Sequence, residues 1–102
     1  MSKRSKACEI SQKTKEIVWD RDNHSCVVCG RSVSMTCANA HYVKRSQGGL
    51  GIEQNIVTMC PGCHYEEDFG KNTKVYEEII KDYLKGKYGA DWTREKLIYK
   101  KY

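Results

Sequence analysis

Ala40-His41-Tyr42-Val43-Lys44-Arg45-Ser46-Gln47-Gly48-Gly49, answered by Asn55 and by Cys60-Pro61-Gly62-Cys63-His64, is the stretch on which the fold turns. In chain order it supplies a histidine, a glycine turn, an asparagine and a second histidine. A cysteine pair lies on either side, Cys26 with Cys29 before it and Cys60 with Cys63 closing it. Tyr42 and Val43 favour a strand, and Gln54 to Met59 reads as a second one. The polar run from Lys44 to Gly51 between them carries three glycines and reads as a loop. Together these segments predict an antiparallel hairpin with a long connection. The closing pair then runs into Tyr65-Glu66-Glu67-Asp68-Phe69, a short helix stopped at Gly70 with Pro61 at its start. On that helix His64 and Asp68 are one turn apart and share a face.

Two C-x-x-C pairs separated by thirty residues match a closed tetrahedral zinc site. The two-residue spacing lets both thiolates of a pair reach one ion, and Gly30 can take the positive φ that such a knuckle needs. Cys26, Cys29, Cys60 and Cys63 are therefore the expected ligands of a structural zinc. A full thiolate shell leaves no position for a substrate, so its role is to staple the fold. A thioredoxin-type redox pair is the rival reading, but no βαβ pattern surrounds either pair. Cys8 and Cys37 are left over as free thiols. His24, two residues before Cys26, reads as a turn histidine because four cysteines already complete the site.

Outward from this centre the chain is helical. Ser11 to Arg21 predicts a helix capped by Ser11, with Ile17, Val18 and Trp19 apolar. Lys74 to Lys85 predicts another, with Val75, Tyr76, Ile79, Ile80 and Tyr83 as its apolar stripe and Gly86 and Gly89 ending it. A last short helix is expected from Asp91, its basic end at Lys100 and Lys101. Residues 1–10 read as a basic flexible tail. The remainder, 11–102, reads as one domain with a core motif over 26–70 and helices over 73–102. The fold class is α+β.

At 102 residues the chain can bury only a modest core, which a metal staple would reinforce. Hydrophobic residues at 39% and charged residues at 30% suit a globular protein rather than a disordered one. No apolar run approaches the ~20 residues of a membrane helix, and the basic start lacks the apolar stretch of a signal peptide. The expected location is cytoplasmic, with no membrane partner. The net charge of +5 is concentrated at the ends: nine basic against five acidic residues in 71–102, and six against four in 1–25. Basic flanks around a balanced centre suit a polyanion such as DNA. A solvated lysine-rich surface is the plain alternative.

The order Cys26-x-x-Cys29-Gly30, His41, Arg45-Ser46-x-Gly48-Gly49, Asn55-Ile56-Val57 and Cys60-x-x-Cys63-His64 resembles the HNH endonuclease family. The resemblance covers roughly residues 26–70 and implies a ββα-metal (His-Me finger) unit. It implies metal-dependent hydrolysis of DNA phosphodiester bonds, by nicking or double-strand cutting. In it His41 resembles the general base, Asn55 the residue that holds the hairpin loop and orients the base, and His64 a ligand of the catalytic ion. Asp68 stands where many relatives carry a further ligand, or is a solvated helix carboxylate. The ion would be a divalent cation such as Mg²⁺, Mn²⁺ or Ni²⁺. Lys44 and Arg45 would clamp the phosphate, or lie solvated on the surface. Small members of the family are often encoded by phages, some with terminase or packaging proteins as partners. One position departs: Ala40 stands where many relatives carry a metal ligand. The competing expectation is a non-catalytic, zinc-stapled DNA-binding or adaptor module.

Overall fold

A computed structural model describes residues 2–100. Met1 of the expected tail, and Lys101 and Tyr102 of the expected last helix, lie outside the described residues. Among the described residues, four α-helices and a two-stranded antiparallel sheet follow in the order α1 (Lys3–Cys8), α2 (Gln12–Arg21), β1 (Ala40–His41), β2 (Ile56–Val57), α3 (Pro61–Phe69) and α4 (Thr73–Tyr88). Short 3₁₀ turns occupy Met35–Cys37, Arg45–Gln47 and Arg94–Leu97. The chain is α+β, as its pattern predicts.

The hairpin pairs Ala40 with Val57 and His41 with Ile56. It is shorter than the apolar runs suggest, and Asn55 is the reason. The backbone carbonyl of Asn55 accepts from Tyr42 N at 2.8 Å. One residue further, its side chain takes over from the backbone: Oδ1 accepts from Val43 N at 2.8 Å. The amide thus does the work of a ladder residue, and the chain is free to leave the sheet after Val43. The loop folds back tightly, so that a Cβ on Gly49 would lie 1.7 Å from Val43 O. Only glycine fits there.

The main core collects Val43, Val57, Met59, Ile80, Leu84, Trp92 and Leu97 between hairpin, α4 and the C-terminal segment. Val18 of α2, Ala38 and Ile56 form a second cluster on the other side. Trp19 packs beside that cluster, donating Nε1 to Val33 O at 3.0 Å. Between the two clusters lies a polar bolt that the sequence pattern did not reveal. Asp22, 5% exposed, accepts from Arg21, from Thr58 N at 2.8 Å and from the Tyr83 hydroxyl at 2.5 Å. Arg21 in turn donates to Ile56 O and Glu53 O, each at 2.7 Å. It ties α2 and α4 to the back of the hairpin.

Three expectations are corrected. Residues 3–8 are a helix rather than a flexible tail. Ser2 Oγ caps it by accepting from Ser5 N at 3.1 Å, Arg4 donates to Ser46 O at 2.9 Å, and Ala7 O accepts from Gly51 N at 3.0 Å. Cys8 is buried by this docking. Gly86 does not end α4. A glycine inside a helix costs only about 1 kcal/mol, and Tyr88 holds the final turn through Arg21 Nη1 at 3.0 Å and Glu53 at 2.8 Å. The expected helix from Asp91 shrinks to the Arg94–Leu97 turn, because its backbone pairs elsewhere. Leu97 O accepts from Leu50 N at 2.8 Å, and Tyr99 N donates to Gly48 O at 2.7 Å.

Candidate metal centre and histidine cleft

The first knuckle is a turn in which Gly30 N donates to Cys26 O at 2.9 Å and Gly30 adopts φ +78°. The second opens α3: Cys60 is its cap and Cys60 Sγ accepts from Cys63 N at 3.4 Å. Val27 N bonds Thr58 O at 3.0 Å, which lays the first knuckle against the strand leading to the second. The ligand atoms of Cys26, Cys29, Cys60 and Cys63 consequently all lie within 4.8 Å of one another. Zn–S bonds of about 2.3 Å place the sulfurs of a tetrahedron about 3.8 Å apart, and Cys29 Sγ is 3.7 Å from Cys60 Sγ. The four cysteines can hold a metal ion such as zinc. Burial opposes ionisation of Cys26, but N–H groups at the two knuckles overcome it and bring the thiol down to about 7. Cys63 is pushed well up, by burial first and then by the neighbouring thiols. Four thiolates crowd one another unless a cation neutralises them. Cys8 and Cys37 stay outside the cluster, and His24 is occupied elsewhere, stacked on Trp19 with Nε2 2.8 Å from Asp20.

His41, at the end of β1, lines a cleft of about 340 Å³ together with Glu9, Ile10, Lys15, Asn39 and Arg45. Its Nε2 lies 3.0 Å from Cys8 O at the end of α1. A carbonyl oxygen only accepts, so the neutral ring carries its proton on Nε2 and keeps a lone pair on Nδ1. Burial lowers the pKa of His41, and the positive charges of Arg45 and Lys44 lower it further against the opposing bond to Cys8. The ring is thus a neutral base at neutral pH.

Asn55 is fully buried behind it. Its Nδ2 donates to Leu50 O at 2.8 Å and to Val43 O at 3.2 Å, so one amide closes both ends of the glycine loop. Ala40 is also fully buried, in the core, so it brings no donor toward the cleft.

On α3, His64 Nε2 is 3.5 Å from Asp68 Oδ2. The cluster includes a residue that sequence reasoning missed: donor atoms of His64, Glu67 and Asp68 all lie within 4.8 Å of one another. Glu67 is 1% exposed. Its signal was positional. Residues 60, 63, 64 and 67 share one helical face, and a carboxylate on a face buried by cysteines needs a cation. That cation is Lys44, whose Nζ lies 2.6 Å from Glu67 Oε1 and 2.8 Å from Asp68 Oδ1. Lys44 is therefore committed to carboxylates rather than held out as an open phosphate clamp. The acids raise its pKa against the opposing effect of burial. Arg45 remains on the His41 cleft, with Nη2 3.2 Å from Ser5 O.

Among the described residues no helix is long and apolar enough to cross a membrane. No protein-family model and no solved structure matches the chain. Among curated proteins it is similar to Anaredoxin of Nostoc sp. (strain PCC 7120), at 32% identity over 53 residues. That alignment spans 52% of this chain and 68% of the relative. At that identity and coverage, the chain belongs to the family of Anaredoxin.

Proposed function

We propose that this protein is a metal-dependent DNA endonuclease of the HNH kind, with a ββα-metal core stapled by zinc on Cys26, Cys29, Cys60 and Cys63. The observation that carries the reading is His41: a neutral imidazole whose Nε2 is tied to Cys8 O, in a cleft flanked by the cations Lys15 and Arg45. Nδ1 takes a proton from water, and the water oxygen attacks phosphorus. The bond to the 3′ oxygen breaks, and that oxygen leaves as a hydroxyl after taking a proton from solvent. Lys15 and Arg45 draw the phosphate into the cleft and offset its charge. Asn55 keeps the loop after His41 closed. His64 and Asp68 are the donors for a divalent ion such as Mg²⁺, Mn²⁺ or Ni²⁺, which when bound supplies Lewis-acid stabilisation of the phosphate. The basic ends of the chain supply sequence-independent attraction to DNA. Such an enzyme works in the cytoplasm on accessible DNA, a phage-type role beside packaging proteins being one setting.

The test is conversion of supercoiled plasmid by the purified protein with EDTA, Mg²⁺, Mn²⁺ or Ni²⁺, beside His41→Ala. Metal-dependent nicking that the variant loses supports the assignment. DNA binding without conversion under any metal replaces it with the non-catalytic module.

A second reading follows from the name of the relative, which is that of a redoxin. A tetrahedral four-thiolate site suits iron as well as zinc, and an iron occupant would make Cys26, Cys29, Cys60 and Cys63 an electron-transfer centre. Metal analysis of protein purified without added metal separates the two. Zinc at one equivalent, with no visible absorption, removes the redox reading.

A further inference from the structure

We propose that Lys44 is the resident cation of the His64–Glu67–Asp68 cluster, and that a divalent ion binds there only by displacing it. The proposal deepens the nuclease reading and rests on it for the ion's use, though not for its binding. The geometry is specific. Asp68 divides its two oxygens, Oδ1 to Lys44 Nζ at 2.8 Å and Oδ2 toward His64 Nε2 at 3.5 Å. Both oxygens of Glu67 are engaged by the same ammonium. Glu67 is 1% exposed, so its charge has no recourse to water and holds Lys44 firmly. The donor atoms are close enough to hold an ion, and the chain has filled the position with its own positive charge. An incoming divalent ion meets an ammonium that already neutralises the carboxylates it needs. Ala40, buried in the core, offers no extra ligand to tip the exchange. Lys44 also leads into the loop that runs to Arg45 on the His41 cleft. Once released, its ammonium is free to take a phosphate. The cluster then exchanges one cation for another while the anion accepts the one released.

Mn²⁺ titration of the zinc-loaded protein, by calorimetry and by electron paramagnetic resonance, tests this without any cleavage assay. Lys44→Gln should bind Mn²⁺ at least tenfold more tightly than wild type, whereas Lys44→Arg should stay near wild type. Adding His64→Ala to Lys44→Gln should remove the gain. Equal affinity in wild type and a folded Lys44→Gln overturns the proposal. Because Lys44→Gln leaves Glu67 unpaired, a second measurement uses the wild-type protein alone. Acetylation of Lys44, followed by peptide mass spectrometry, should accelerate several-fold at saturating Mn²⁺ while that of Lys74 does not change. An unchanged Lys44 rate overturns the proposal even if the variant fails to fold. A plasmid assay that shows no nicking removes the nuclease reading and leaves both of these results standing.

Discussion

Asn55 and Val43 exchange two hydrogen bonds between one side chain and the backbone of one residue: Val43 N to Oδ1 at 2.8 Å, and Nδ2 to Val43 O at 3.2 Å. A third bond from Nδ2 reaches Leu50 O. Asn55→Ala orphans these buried backbone groups, each at about 1–3 kcal/mol when unsatisfied. We expect a loss of about 3 kcal/mol in denaturant melts. Asn55→Asp should lose at least as much, because a carboxylate faces two carbonyl oxygens where the amide donated. Equal stability of Asn55→Asp and wild type would count against the loop-closing role.

The four-cysteine centre should govern folding independently of His41. Cys26→Ala, or a strong chelator, removes a site whose binding free energy is folding free energy. The expected result is loss of the cooperative melt and of the far-ultraviolet helical signal. His41→Ala should keep both, since it removes one half-buried ring and its bond to Cys8 O. Parallel thermal melts and a colorimetric zinc assay check the contrast.

His41 also sets a pH dependence. Its folded pKa lies below 6.5, so the unfolded chain binds the proton more readily. Stability contributed by the neutral ring is therefore present above pH about 6.5 and falls as pH drops from there through the folded pKa. The proposed nuclease activity should show an acid limb with a midpoint below 6.5, absent from any residual activity of His41→Ala. An acid limb centred above 7 would contradict the burial that lowers this pKa.

The Arg21–Asp22 bolt should be worth more than its surface neighbours. Asp22→Ala strands a guanidinium that donates to Ile56 O and Glu53 O, together with the N–H of Thr58. Breaking a buried pair by removing one partner typically costs about 3–5 kcal/mol. Tyr83→Phe removes a single bond to Asp22 and should cost about 1 kcal/mol. Urea midpoints of the two variants give the ratio.

Much of this architecture was readable because its signals are local. The paired cysteines, Ser11 at the start of α2, and Pro61 and Gly70 bracketing α3 each state their structure within a few residues, whereas the Tyr42–Val43 run read as strand lies just beyond β1. What escaped depends on contacts distant in sequence. Helix α1 is held by Gly51 and Ser46, more than forty residues away. Lys44 and Glu67 look like ordinary surface charges until α3 turns one of them inward. The strands end early because a side chain, Asn55, replaces the ladder, and no propensity encodes that. Gly86 reads as a stop, yet Tyr88 is tied to Arg21 and Glu53 and carries the helix past it.

Gly51 shows how the N-terminal helix bears on chemistry. A Cβ there would lie 1.9 Å from Glu9 O, so Gly51→Ala should lift the end of α1 from the loop. It should cut the proposed nuclease activity with little change in metal held by the four cysteines, and limited proteolysis should report faster cleavage before residue 11.

The partner of His41 Nε2 lies 33 residues upstream, at the close of that same helix. A fragment begun at Ser11, the border that composition alone suggests, would retain the four cysteines of the metal centre, both site histidines and the hairpin. It would nevertheless lack the carbonyl that selects the ring's tautomer. A shortened version that keeps the four-cysteine centre would therefore lose a determinant of the His41 ring, and the residue at which the chain starts matters to any test of the proposed activity.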